Sequence, residues 1–224
     1  MSIDEPIQEI DFEVGDLDTY DELFKLVIIG DYNVGKSSLI KSIKRKKFEE
    51  SNEETVGFDY DSLCVKVKNK ILKFQIWDSS GKEQYRNLVT NVLHNSSLVI
   101  LVYDITNKES FENIDLWLNE VEKNSQVENA ILIGTKSDLK KEREVSTEDG
   151  KNKCDSKDIF KSFFECSAKS GYNVKELFIE ITKLLLVQKK SNLGYLRSSY
   201  SHEIFYTNKD DSKNKIYKKF CNCC

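Results

Sequence analysis

One octapeptide constrains this chain more than any other feature: Gly30-Asp31-Tyr32-Asn33-Val34-Gly35-Lys36-Ser37. It matches G-x-x-x-x-G-K-S/T. It follows an apolar run, Leu23 to Ile29, interrupted only at Lys25, and it precedes a helical pattern at Leu39, Ile40 and Ile43. A buried strand that ends in a glycine turn and opens a helix is the context in which this motif binds phosphate. Glycine lets the backbone approach an anion, and consecutive N–H groups with the helix dipole hold it. Lys36 adds a cation for the β- and γ-phosphates, and the Ser37 hydroxyl suits Mg²⁺. The bland alternative, a chance glycine turn with a solvated lysine, does not account for that context.

The rest of the chain alternates strand and helix signals. Leu63 to Lys68 alternates strictly, Ile71 to Trp77 alternates at Leu72, Phe74 and Ile76, and Lys68-Asn69-Lys70 joins them as a hairpin. Leu98 to Tyr103 and Ala130 to Gly134 read as buried strands, and Phe163 to Cys166 as a short one. Helical stripes run through Phe111, Ile114, Leu118 and Val121, and through Val174, Leu177, Phe178, Ile181, Leu184 and Leu185. Residues 146–160 are poor in apolar groups and carry the weakest helical signal. This alternation predicts an α/β fold with a mostly parallel sheet covered on both faces. Ligands of such sheets bind beyond the carboxyl ends of strands, so informative residues are expected just after Ile29, Trp77, Tyr103 and Ile133.

Charge divides the 224 residues into three. Residues 1–22 hold nine acids and no Lys or Arg; residues 188–224 carry +5; residues 23–187 hold 26 charges of each sign. We expect an acidic, disordered N-terminal extension at 1–22, a globular domain at 23–187, and a flexible basic tail at 188–224. A rival reading folds the extension back onto a basic surface such as Lys41, Lys44, Arg45, Lys46 and Lys47. The longest apolar run, Leu98 to Tyr103, is too short to span a bilayer. There is no apolar h-region near the N-terminus, and Ser2 stands where N-myristoylation needs glycine. Cys64, Cys154 and Cys166 are scattered and read as free thiols, with Cys64 and Cys166 as small buried residues on strands. Cys221, Cys223 and Cys224 crowd the last four positions. Cys221 formally opens a CaaX box, but Asn222 and Cys223 are not aliphatic; the vicinal Cys223-Cys224 pair suits double prenylation better. Two lipid chains, or one plus a basic patch, anchor stably.

Further motifs fall at the expected strand ends. Trp77-Asp78-Ser79-Ser80-Gly81 puts an acid where Mg²⁺ can be held through water, and Gly81 can offer its N–H to a γ-phosphate. Thr135-Lys136-Ser137-Asp138 supplies a carboxylate that can pair with guanine N1–H and N2–H₂. Ser167-Ala168-Lys169 follows the next strand. At this point the sequence resembles the Ras-like small GTPases, and within them the Rab family. Supporting segments are Glu54-Thr55-Val56-Gly57-Phe58-Asp59-Tyr60, Lys73 to Asp78, Leu101 to Thr106, and Glu165 to Val174.

The resemblance covers about residues 23–187 and implies a six-stranded, mostly parallel sheet with one antiparallel strand and about five helices on both faces. It implies that Asn33, Val34, Gly35, Lys36, Ser37 and Ser38 hold phosphates, and that Ser37, Thr55 and Asp78 hold Mg²⁺. It places Thr135, Lys136, Asp138, Ser167, Ala168 and Lys169 at the guanine end of the nucleotide, where Asp138 reads the base, Lys136 packs along it, Ala168 offers an N–H to its oxygen, and Phe48 lies against it. Thr55, Gly81 and Lys82 occupy the catalytic positions, in two switch segments ordered by the γ-phosphate. Implied partners are effectors at Phe58, Trp77 and Tyr85, an exchange factor, a TBC-type activating protein, an escort protein with its prenyltransferase, and a GDP-dissociation inhibitor. A monomer is implied, without nucleic acid, on the cytoplasmic face of an intracellular membrane and cycling with cytosol.

Three departures from the family pattern stand out. Lys82 replaces the glutamine that orients the attacking water; an ammonium only donates, so it cannot accept that water's proton. Slow intrinsic hydrolysis is expected, although its charge could still lie near the γ-phosphate. Tyr32 occupies a loop position that is usually small; its ring either shields the γ-phosphate or turns outward. Thr135 replaces the asparagine of N-K-x-D, with one hydroxyl in place of an amide. Two functions compete: a GTP/GDP switch in vesicle traffic, and a GTP-bound recruitment scaffold that hydrolyses little.

Overall fold

The computed structural model describes residues 10–11, 19–44, 48–49, 54–67, 69–82, 84 and 86–199. Its elements are β1 (Ile10–Asp11), β2 (Glu22–Ile29), α1 (Lys36–Ile43), β3 (Phe58–Val67), β4 (Lys70–Ser79), α2 (Arg86–Leu93), β5 (Leu98–Asp104), α3 (Lys108–Glu112), α4 (Ile114–Asn124), β6 (Ala130–Thr135), α5 (Thr147–Asp155), β7 (Phe160–Glu165) and α6 (Val174–Ser199). α3 and α4 are two parts of one helix interrupted at Asn113, so the helices form five bodies. The strands lie in the order β1-β3-β4-β2-β5-β6-β7. The six longer strands match the expected sheet, with β3 antiparallel to β4 and every other contact among the six parallel. The two-residue β1 adds to its edge, with Ile10 opposite Val67 and Asp11 opposite Lys66.

Apolar sequence dictates this order. β5 and β6 are buried at every position, as central parallel strands must be. β2 follows suit from Leu26 to Ile29, while Leu23 at its open end stays 44% exposed. One core layer joins Val27, Ile29, Leu101 and Leu132 of the sheet to Leu93 of α2, Trp117 and Val121 of α4, and Cys154 of α5. The alternate strand positions Leu26, Ile28, Phe74 and Ile76 are also buried, so both faces of the sheet are covered. The weak segment at 146–160 does form a helix. Ser146 caps it, accepting from the Asp149 N–H while the Asp149 carboxylate accepts from the Ser146 N–H, and this capping box replaces the missing apolar stripe.

Cys64 is buried on β3, Cys166 is buried one residue beyond β7, and Cys154 is buried on α5, all as free thiols. Cys221, Cys223, Cys224 and Tyr85 lie outside the described residues. Lys44 is ion-paired to Asp61 of β3. The compact unit that carries the site ends at Leu185; a second unit begins at Leu186, and its described part is helical to Ser199. Among the described residues no helix is long and apolar enough to cross a membrane. The parallel strands bring Ile29, Ser79, Asp104 and Thr135 to one edge of the sheet, where the site forms.

Candidate functional site

A cleft of about 480 Å³ lies at that edge. Its lining includes Asn33, Gly35, Lys36, Ser37 and Ser38 of the glycine loop, and Phe48, Thr135, Lys136, Asp138, Ala168 and Lys169 of the distal loops. Thr55 and Glu54 enter from the segment before β3. Val34 and Ser167 sit behind the wall, 2% and 0% exposed.

The glycine loop owes its shape to left-handed backbone. Asn33 and Gly35 have φ of 62° and 98°. Turns of this kind direct successive N–H groups inward as an anion nest. Lys36 begins α1 and is 4% exposed. Its ammonium donates to the Gly30 carbonyl at 3.0 Å and the Asp31 carbonyl at 2.7 Å. Burial lowers its pKa to about 8, opposed by the charges of Asp78 and Asp31. Gly81, with φ of 74°, closes the opposite side; a β-carbon there would come within 2.5 Å of the Gly30 and Asp31 carbonyls.

Three oxygen-bearing side chains converge below the loop. Ser37 Oγ donates to Asp78 Oδ2 at 2.5 Å and lies 3.2 Å from Thr55 Oγ1. Asp78 Oδ1 is buried and has no hydrogen-bond partner. Burial raises the Asp78 pKa to about 6, against the Ser37 hydrogen bond and the Lys36 charge, while Asp59 and Asp61 push it further up. Two hydroxyls and one carboxylate, one of whose oxygens is buried without a partner, fit Mg²⁺, a hard cation that prefers oxygen. Among the described residues no three His, Cys, Asp or Glu side chains cluster where they could hold a metal ion.

At the far end, Ser167 Oγ donates to Asp138 Oδ1 at 2.6 Å and orients its carboxylate. The Lys136 ammonium pairs with Asp104 at 2.6 Å, and Asp104 is itself fixed by the Thr106 N–H and hydroxyl. The Lys169 ammonium stands 6.0 Å from the Phe48 ring centroid across the cleft. Thr135 Oγ1 reaches two carbonyls, that of Val34 and, at 2.9 Å, that of Tyr103. Its hydroxyl carries one proton, so it serves one carbonyl at a time where an amide would offer two.

A model of the Ras family matches residues 25–187. The chain belongs to the Ras family of small GTPases. The Ras-related protein Rab-2B of Dictyostelium discoideum is 36% identical over 179 residues, covering 80% of this chain and 88% of that protein, so the chain is Rab-like within the family. It is a GTP-binding, GTP-hydrolysing switch.

In this GTPase two of the three departures meet. The Lys82 ammonium lies 2.5 Å from the Glu54 carboxylate and 5.5 Å from the centroid of the Tyr32 ring. Tyr32 is 53% exposed, and it helps Lys82 to hold the Glu54 carboxyl below the usual carboxylate range. Asp31 was not singled out in the sequence, and it is the best-connected residue of the loop. Its Oδ1 accepts from the Trp117 indole at 2.7 Å, and its Oδ2 from the Asn113 amide at 2.8 Å. These partners lie 86 and 82 positions away, beyond the reach of any local spacing rule. On the outer side, Trp77 stacks edge-on with Tyr60 at 5.4 Å, and Phe58 and Trp77 both pack against the core.

Proposed function

We propose that this GTPase is a membrane-tethered regulator of vesicle traffic that hydrolyses GTP slowly on its own and stays long in the GTP form. The observation that carries the reading is the Lys82–Glu54 ion pair at 2.5 Å: the side chain in the water-orienting position is a donor already committed to a carboxylate. Hydrolysis needs a water in line with the γ-phosphorus; its oxygen bonds to phosphorus as the bond to the β–γ bridging oxygen breaks, giving GDP and phosphate. Orienting that water takes an acceptor for its proton as well as a donor, and Lys82 offers no acceptor.

The other groups suit their parts. The loop N–H groups from Asn33 to Ser38 and the Lys36 ammonium would hold the phosphates, and Gly81 N–H the γ-phosphate. Ser37 and Thr55 would ligate Mg²⁺ directly and Asp78 through water; bound there, the ion neutralises charge that develops on the β- and γ-phosphate oxygens. Asp138 would accept from guanine N1–H and N2–H₂, while Lys136 and Phe48 flank the base and Ala168 N–H meets its oxygen. Ser167, Thr135 and Lys169 brace that end. An activating protein of the TBC type would supply the missing catalytic groups. Phe58, Trp77 and Tyr85 would be read by effectors. Prenylated Cys223 and Cys224, aided by the basic tail, would tether the chain to the cytoplasmic face of an intracellular membrane, with escort protein, exchange factor and GDP-dissociation inhibitor completing its cycle.

The test is to purify the protein, identify its bound nucleotide and time single-turnover hydrolysis. Bound GDP with slow but measurable turnover supports the switch. GTP that persists even with an activating protein favours the second reading, a recruitment scaffold, to which the shielding ring of Tyr32 would contribute. Bound ATP overturns both. Imaging the wild type beside a variant lacking Cys223 and Cys224 tests the tether and maps the compartment.

A further inference from the structure

Three loops meet at one carboxylate. Tyr32 comes from the glycine loop, Glu54 from the segment before β3, and Lys82 from the segment after β4. Glu54 receives the Lys82 ammonium at 2.5 Å, and Lys82 also stands 5.5 Å from the centroid of the Tyr32 ring. The hydrogen bond from Lys82 leads in holding the Glu54 carboxyl below the usual carboxylate range, and that from Tyr32 adds to it. The three residues are mutually dependent. Glu54 lines the cleft beside the phosphate positions, where an uncompensated carboxylate would repel the nucleotide. Lys82 supplies the compensating charge, and the Tyr32 ring lies against that ammonium.

Every group in this arrangement belongs to the protein. In a switch of this class the γ-phosphate draws the two flanking segments together. Here side chains of the protein itself join the same two segments to the glycine loop. We propose that Glu54 is a positioning residue that clasps Lys82 and Tyr32 across the mouth of the nucleotide cleft, so that breaking this clasp governs the escape of GDP as well as GTP. The inference rests on the nucleotide-switch reading given above. It adds that two departures from the family pattern act as one unit with a third residue, and that the unit slows nucleotide exchange.

The experiment is a set of GDP dissociation rates from full-length, Mg²⁺-loaded protein, using a fluorescent GDP chased by excess unlabelled GDP. Variants are Glu54→Gln, Lys82→Gln, Tyr32→Phe, the double Glu54→Gln/Lys82→Gln, and the charge swap Glu54→Lys/Lys82→Glu. Each single variant should release GDP faster, by about three- to tenfold for the two charge variants, as suits a partly exposed pair. The double variant should be no faster than the faster single, because both remove one interaction. The swap should return most of the way to wild type, and 1 M salt should speed wild type but leave Glu54→Gln nearly unchanged. Multiplicative rates in the double variant, or a swap as fast as the singles, would overturn the clasp. Wild type that holds GDP with the same rate in every variant overturns the clasp alone. Wild type that holds no guanine nucleotide overturns the switch reading and the clasp together.

Discussion

The Lys82 ammonium lies 2.5 Å from the Glu54 carboxylate, and the two reach each other from the segments that lead into and out of the β3–β4 hairpin. An ammonium so held has only donors, and its first partner is a carboxylate. Lys82→Gln supplies both a donor and an acceptor. We expect it to raise single-turnover GTP hydrolysis on the order of tenfold, less than the roughly hundredfold or more that a positioned proton-transfer group contributes, because a glutamine orients the water without taking its proton. Equal rates in wild type and variant would remove Lys82 as the cause of slow turnover.

Asp31 fastens the glycine loop to the outer helix through the Trp117 indole and the Asn113 amide. Asp31→Asn keeps the shape but turns an NH₂ group against one of these donors. Trp117 is 1% exposed, so water cannot replace the lost acceptor. The expected loss is about 1–3 kcal/mol in denaturant unfolding, together with weaker GDP binding. An unchanged midpoint would show that the loop does not depend on this tie.

Much of this architecture was legible in the amino-acid order. The glycine loop, the strand ends and the Ser37, Asp78 and Asp138 positions follow from local motifs whose residues meet by the regular geometry of strand and helix, while Thr55 follows from the resemblance to the family. Glu54, Asn113, Trp117 and the structural part of Asp31 were not legible. Their contacts join segments tens of residues apart, and no periodicity records which side chain faces which across a fold. The helix at Thr147–Asp155 lies between these cases: it lacks an apolar stripe, and its readable signal was the Ser146–Asp149 pair at its start.

Thr135 stands where the family pattern has asparagine, and its hydroxyl is shared between the Val34 and Tyr103 carbonyls. Thr135→Val fills the same space and leaves both carbonyls without this donor. Stability should fall by about 1–3 kcal/mol and GDP should dissociate faster. Thr135→Asn, with two N–H groups, should release GDP more slowly than wild type. A slower Val variant would contradict the assignment.

Lys36 carries a pKa near 8 because it is buried. Its folded value lies below the unfolded one, so its contribution to stability is present above the unfolded pKa and is lost as pH falls through about 8. Phosphate binding runs the other way, since only the ammonium pairs with an anion. Above pH 8 the ligand-free lysine is increasingly neutral, and binding must take up a proton. Affinity for sulfate, which stays a dianion throughout this range, should therefore fall by up to about tenfold per pH unit above 8. Lys36→Gln should bind weakly with a flat profile, and a flat wild-type profile would refute the shift.

The hairpin register has one more consequence. Phe58 pairs with Ser79, which brings the residues just outside them to a common mouth. Glu54 and Lys82 lie there, and the turn at Asn69 closes the other end. The stretch from 54 to 82 is thus a contiguous cassette of 29 residues that carries both halves of the ion pair. It could be transplanted whole into a faster-exchanging relative, with one tyrosine added in the glycine loop, and should take its slow release of nucleotide along.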